Sequence, residues 1–151
     1  MRVLSLAIAT AVVSSLILTS ESQAQETRRY INPGTVADTA VGPYSGGVLV
    51  GNTLYLAGTI GLDEDQKVPE TVEEEARLVL DDVRQTLGTA GMSMDDLVWV
   101  QVFCSDVAHY DAFNRVYRTY FTREFPARAF IGSGTLLFGA RFEVQGVAVR
   151  R

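Results

Sequence analysis

Along the chain the apolar positions change period several times, and each change marks an element. Val41 to Val50 is apolar and glycine-rich, and Thr53 to Ile60 follows it after the turn pair Gly51-Asn52. The two stretches therefore read as a β-hairpin. Gly61 to Pro69, with Asp63-Glu64-Asp65 inside it, is an acidic loop that reads as a solvated turn. The period then lengthens. Val72, Ala76, Leu80, Val83, Leu87 and Ala90 recur at steps of three and four, which is one face of an α-helix. Thr71 with Glu74 makes a capping box at its start and Gly91 closes it. Glu73, Glu74 and Glu75 fall in the first turn, where the helix dipole favours anions, and read as a solvated helix start.

Leu97 to Cys104 is apolar on both faces, the signature of a central strand covered on both sides. Asp106 caps a second helix whose stripe Tyr110, Phe113, Tyr117 and Tyr120 reads as core, with His109 facing solvent. Pro126 ends whatever helix precedes it, because its ring and missing N–H cannot continue one. Beyond it Ala127, Ala129 and Ile131 alternate with Arg128 and Phe130 along a strand. The last strand, Arg141 to Val149, sets Phe142, Val144, Gly146 and Ala148 against Arg141, Glu143, Gln145 and Val147. The predicted order is β-β-α-β-α-β-β, an α/β chain of the α+β kind with two helices on one face of a mixed sheet. Two helices cover only one face. The other stays apolar and bare in a single copy, which predicts an oligomer.

Composition narrows the picture. The chain has 151 residues, 47% apolar and 21% charged, as expected of one globular core. Its formal charge is −5, and Lys67 is the only lysine among 13 basic residues. An acidic chain without a basic run is a poor partner for nucleic acid, which needs clustered cations. Cys104 stands alone, so no intramolecular disulfide forms, and it reads as a small buried residue. With His109 as the only histidine, a His-based zinc site is not expected, nor any other metal site.

Residues 1–24 read as a signal peptide rather than as part of the fold. Arg2 precedes an apolar run from Val3 to Leu18, and Ser22-Gln23-Ala24 places small residues at both key positions of a cleavage site. The run is short for a bilayer span and no basic stop-transfer cluster follows it. The mature protein is thus expected to begin near Gln25, in the periplasm or outside the cell, with no stable membrane insertion after cleavage. Residues 25–40 are polar, contain Pro33-Gly34 and read as an N-terminal arm, leaving 41–151 as the folded domain.

Two charged residues stand out on strands. A guanidinium beside apolar neighbours, as at Arg128, either pairs with an acid of its own chain, reaches solvent from an edge strand, or grips an anion through its planar fork. Glu143 is a carboxylate similarly placed among apolar residues.

Three blocks carry a resemblance. Val-Gly-Pro-Tyr-Ser-Gly-Gly-Val (41–48), Phe-Pro-Ala-Arg (125–128) and Phe-Glu-Val-Gln-Gly-Val-Ala-Val-Arg-Arg (142–151), at their observed spacing, resemble the RidA/YjgF family of reactive imine deaminases. The resemblance implies a chorismate-mutase-like fold, a homotrimer with clefts between subunits, and hydrolysis of 2-imino or enamine acids to 2-keto acids and ammonia without a cofactor. It also implies roles. Arg128 holds the substrate carboxylate, Glu143 orients or activates the attacking water, Tyr44 closes the cleft, Asn114 lines it, and Gly58 offers a backbone contact. An imine is already electrophilic, so holding it, placing a water and managing protons suffices. The chain departs from the family at Ala57-Gly58-Thr59, at Leu136-Leu137 and at Phe130, where a Cys is common. Phe130 is expected to share the face of Arg128 and narrow the pocket. Two readings of another class remain: a small-carboxylate-binding trimer without turnover, and a chaperone-like stress protein.

Overall fold

A computed structural model describes residues 27–32 and 43–151. The expected signal peptide and the Val41-Gly42 start of the first block lie outside the described residues. Six strands form one mixed sheet: β1 (Arg28–Ile31), β2 (Gly47–Val50), β3 (Thr53–Ile60), β4 (Leu97–Cys104), β5 (Ala127–Gly132) and β6 (Phe142–Val149). Their spatial order is β1-β2-β3-β6-β4-β5. Only β4 and β5 run parallel, which is why a helix, α2 (Tyr110–Tyr117), is needed to cross between them. The other helix, α1 (Val72–Thr89), crosses from β3 to β4. No helix among the described residues is long and apolar enough to cross a membrane.

The pattern misses one strand and overextends another. β1 lies within the segment read as an arm and pairs antiparallel with β2, from Arg28 opposite Val50 to Ile31 opposite Gly47. Four residues with only Ile31 buried leave no periodic trace in a polar stretch. β2 begins at Gly47, because residues 43–46 bend before the ladder starts.

The core lies between the helices and one sheet face. α1 buries Ala76, Val79, Leu80, Val83 and Leu87 against Leu54 and Leu56 of β3 and Val144 and Ala148 of β6. Each such aliphatic side chain contributes roughly 1.5–3 kcal/mol of burial. Thr71 caps α1, accepting from the Glu74 N–H at 3.2 Å, and Gly91 follows its end at φ 75°, open to glycine at no steric cost. Cys104 is fully buried, and burial pushes its thiol pKa up.

Three side chains correct the pattern. Glu75 is fully buried rather than solvated, because three donors converge on its carboxylate. Tyr110 is not core: it is 45% exposed, while Phe113 and Tyr117 of the same stripe are buried. His109 is half-buried, its ring edge-on to Phe142 at 6.2 Å. Asp106 does cap, accepting from the Ala108 N–H at 2.9 Å, but on a single 3-10 turn that leads into α2.

Among the described residues the second sheet face carries no helix. Tyr55, Val98, Ile131 and Val149 are exposed among the described residues, as expected of a surface awaiting a partner.

Candidate active site

β5 is one of the two edge strands, and its alternation sends Arg128 and Phe130 to the helix side. The register shows it: Arg128 is opposite Val100 and Phe130 opposite Val102, both fully buried in the core. There Arg128 meets α2. Its Nη2 donates to Asn114 Oδ1 at 2.7 Å, and its Cζ lies 4.5 Å from the Tyr117 ring, 5.8 Å from Phe130 and 6.0 Å from Tyr110. Such cation–π contacts stabilise a partly desolvated guanidinium. They accept no hydrogen bond in the plane of the fork. Arg128 Nη1 is buried with no partner, and so is the Tyr117 hydroxyl, whose pKa burial pushes up to about 12. No carboxylate among the described residues pairs with Arg128 to neutralise it.

Phe130 shares that face, as expected. Its ring stands edge-on to Tyr110 at 5.0 Å and to Phe113 at 5.6 Å, so it is a wall locked into the aromatic cluster.

Glu143 is elsewhere. It lies opposite Phe103 of β4 and Ile60 of β3, on the open side of the sheet. A β-bulge accounts for its surroundings. Leu56 is opposite Gly146 but Thr59 is opposite Val144, so β3 holds one extra residue at Ala57-Gly58. Beyond the bulge the parity of β3 switches. Thr59 faces the helices and donates its hydroxyl to Asp82 at 3.4 Å, whereas Gly58 turns toward Glu143. A Cβ on Gly58 would overlap the Glu143 carboxylate. Ala57 N–H donates to Gly46 O at 3.0 Å, which brings the bend containing the exposed Tyr44 beside the bulge.

The residues singled out in the sequence thus fall into two groups. Arg128, Asn114 and Phe130 come together on the helix side of β5. Gly58, Glu143 and the Tyr44 bend come together at the β3–β6 bulge on the open side. One chain does not join them. Tyr110 and Tyr117 escaped sequence reasoning as neighbours of Arg128, although Tyr110, Asn114 and Tyr117 step by four and three on one helical face. A lone Asn in that aromatic stripe was the available signal.

A mixed six-stranded sheet backed by two helices, with an arginine on its edge strand and a glutamate over a bulge, defines an α+β class whose charged residues sit on opposite faces. Residues 35–150 match the family model described as Endoribonuclease L-PSP, and the chain belongs to that family, RidA/YjgF. It is 39% identical over 116 residues, 76% of this chain and 85% of the relative, to the 2-iminobutanoate/2-iminopropanoate deaminase of Capra hircus. Against the human protein of the same name it is 37% identical over 113 residues, 74% of this chain and 82% of the relative. The YjgF gene product of E. coli superimposes with a TM-score of 0.70 at 34% identity, over 74% of this chain and 91% of that one.

Proposed function

We propose that the protein hydrolyses 2-imino and enamine acids to 2-keto acids and ammonia, at sites shared between copies of the chain in a homotrimer. The observation that carries this reading is Arg128: a half-buried guanidinium with an unpaired Nη1 and no acidic partner among the described residues. An unmet buried donor costs roughly 1–3 kcal/mol, which a substrate carboxylate recovers once it displaces the surrounding rings. The names of the goat and human relatives support the same reaction. The acidic charge of −5 speaks against RNA as substrate.

In this reading Arg128 holds the carboxylate, and Asn114 and Tyr117 hold Arg128. Phe130 and Tyr110 border the side chain of the imino acid. Glu143, contributed by a neighbouring copy, takes a proton from water as its oxygen adds to the imine carbon. With the imine bound in its protonated form, this gives a carbinolamine. Glu143 hands the water's proton to the amine nitrogen, ammonia leaves as the C–N bond breaks, and the hydroxyl proton passes to Glu143 and on to solvent, leaving the keto acid. No metal or organic cofactor takes part. Gly58 leaves room for the Glu143 carboxylate, and Tyr44 closes the cleft. The proposed location is the periplasm or the exterior, after removal of residues 1–24.

The test is complementation. Imines are generated by an amino-acid oxidase, and keto-acid release is measured for Arg128→Ala, for Glu143→Ala and for a refolded mixture of the two. Each variant alone is expected to be nearly inactive. The mixture is expected to regain about a quarter of wild-type activity, since half of each subunit type at random gives that fraction of intact pairs. A mixture as inactive as its components excludes a shared site.

A further inference from the structure

We infer that Glu75 is a positioning residue for Glu143, acting through the start of β6; the inference rests on the role proposed for Glu143 above. Glu143 needs such support. No donor among the described residues reaches its carboxylate, so its place is set by its own backbone and by the absence of a side chain at Gly58.

The backbone just before it is bolted down. Glu75 is fully buried in the first turn of α1, and its Oε1 accepts from the Arg141 N–H at 2.5 Å and the Phe142 N–H at 3.0 Å. Its Oε2 accepts from Arg141 Nη1 at 2.8 Å. The same guanidinium donates to Pro69 O at 2.9 Å and Glu70 O at 3.1 Å. Gly61, just beyond β3, packs so close to α1 that a Cβ there would overlap the backbone carbonyl of Glu75. The Glu75 carboxylate therefore ties the first turn of α1 to Arg141 and the first residue of β6, and the Arg141 guanidinium it holds ties the loop before α1 to the same point. Glu143 is the next residue along.

An acidic residue in a helix first turn is ordinarily solvated, where it contributes only through the dipole. Full burial with three donors is a different arrangement. A carboxylate accepts from two backbone N–H groups and a guanidinium at once, whereas a carboxamide of the same shape cannot. In Glu75→Gln the oxygen still faces the two N–H groups. The amide nitrogen, however, meets Arg141 donor to donor and expels it.

The experiment uses the full mature protein and compares Glu75→Gln with wild type in two ways, well below the melting temperature of either. If Glu75 positions Glu143, kcat falls on the order of tenfold while KM moves less than about twofold, because Arg128 and its cage are untouched. Amide exchange at Phe142 is expected to quicken by about tenfold as well. Arg141→Lys, which keeps the charge but loses the fork, should fall between the two proteins and serves if Glu75→Gln does not fold. Unchanged kcat overturns the inference, even with a lower melting temperature or faster exchange, because the clamp would then be purely structural. Should wild type show no imine turnover at all, the deaminase reading and the positioning role that rests on it both fall, whereas turnover by wild type with an unchanged kcat in Glu75→Gln overturns the positioning role alone.

Discussion

On the helix side of β5, Arg128 is held by side chains: an amide oxygen at its edge, a tyrosine ring on its face and two more rings nearby. On the open side of β6, Glu143 is held by none among the described residues. A bulge in β3, a missing Cβ and a clamped strand start determine where its carboxylate goes. The difference follows from chemistry. A guanidinium taken partly out of water needs acceptors and π-faces that only other side chains supply. A carboxylate that exchanges protons with a reacting water gains from having no fixed donor, since each such bond would lower its basicity. The arginine region is therefore robust in geometry and sensitive in charge. The glutamate region is sensitive in geometry as well.

The sharpest break of this comparison is Arg128→Ala. Two charge-assisted bonds to a carboxylate, each worth roughly 1.5–3 kcal/mol, disappear, so kcat/KM is expected to fall by more than about a hundredfold. Circular dichroism and light scattering should show the same fold and assembly as wild type. Arg128→Lys should recover little, because a point charge cannot replace the fork against Asn114. Wild-type hydrolysis by a stable Arg128→Ala protein would end the assignment of this site.

Gly58→Ala probes the other region with a smaller perturbation. One methyl group forces the Glu143 carboxylate aside or pushes β3 away from β6. The expected result is a fall in kcat on the order of tenfold with KM little changed, measured on imines of two or more side chains. An unaltered kcat would show that the reacting carboxylate does not lie over Gly58.

The mildest change is Phe130→Cys. The fold should survive, with a loss of about 1–3 kcal/mol, as two edge-on ring contacts are given up and a void opens beside Phe113. For the best substrate kcat/KM should move by about threefold at most, while imino acids with other side chains gain relative to it. Identical substrate profiles in the two proteins would show that Phe130 serves the packing of α2 alone.

Much of this was legible along the chain, and the reasons are local. The α1 stripe from Ala76 to Leu87, the Gly51-Asn52 turn and the alternation of β6 appear as read, because periodicity, turn chemistry and caps act within a few residues. The shared face of Arg128 and Phe130 follows from the same period of two. β1 was not legible, since four mostly exposed residues need no apolar pattern when a neighbouring strand supplies the hydrogen bonds. Tyr110 and Glu75 were misread in opposite directions, one as buried and one as solvated. In each case a distant segment decides: Phe130 draws Tyr110 to the rim of the Arg128 cage, and Arg141 draws Glu75 inward.

The sequence by itself determined every element except β1, most of their faces, the family and the two charged residues worth examining, because those depend on short-range sterics, side-chain period and motif spacing. Only the tertiary structure decided that Arg128 and Glu143 stand on opposite faces of one sheet. That outcome depends on strand order and on one extra residue at Ala57-Gly58, neither of which has any local signature: a strand's neighbours are chosen by long-range pairing, and a bulge is visible only against the strand it fails to match.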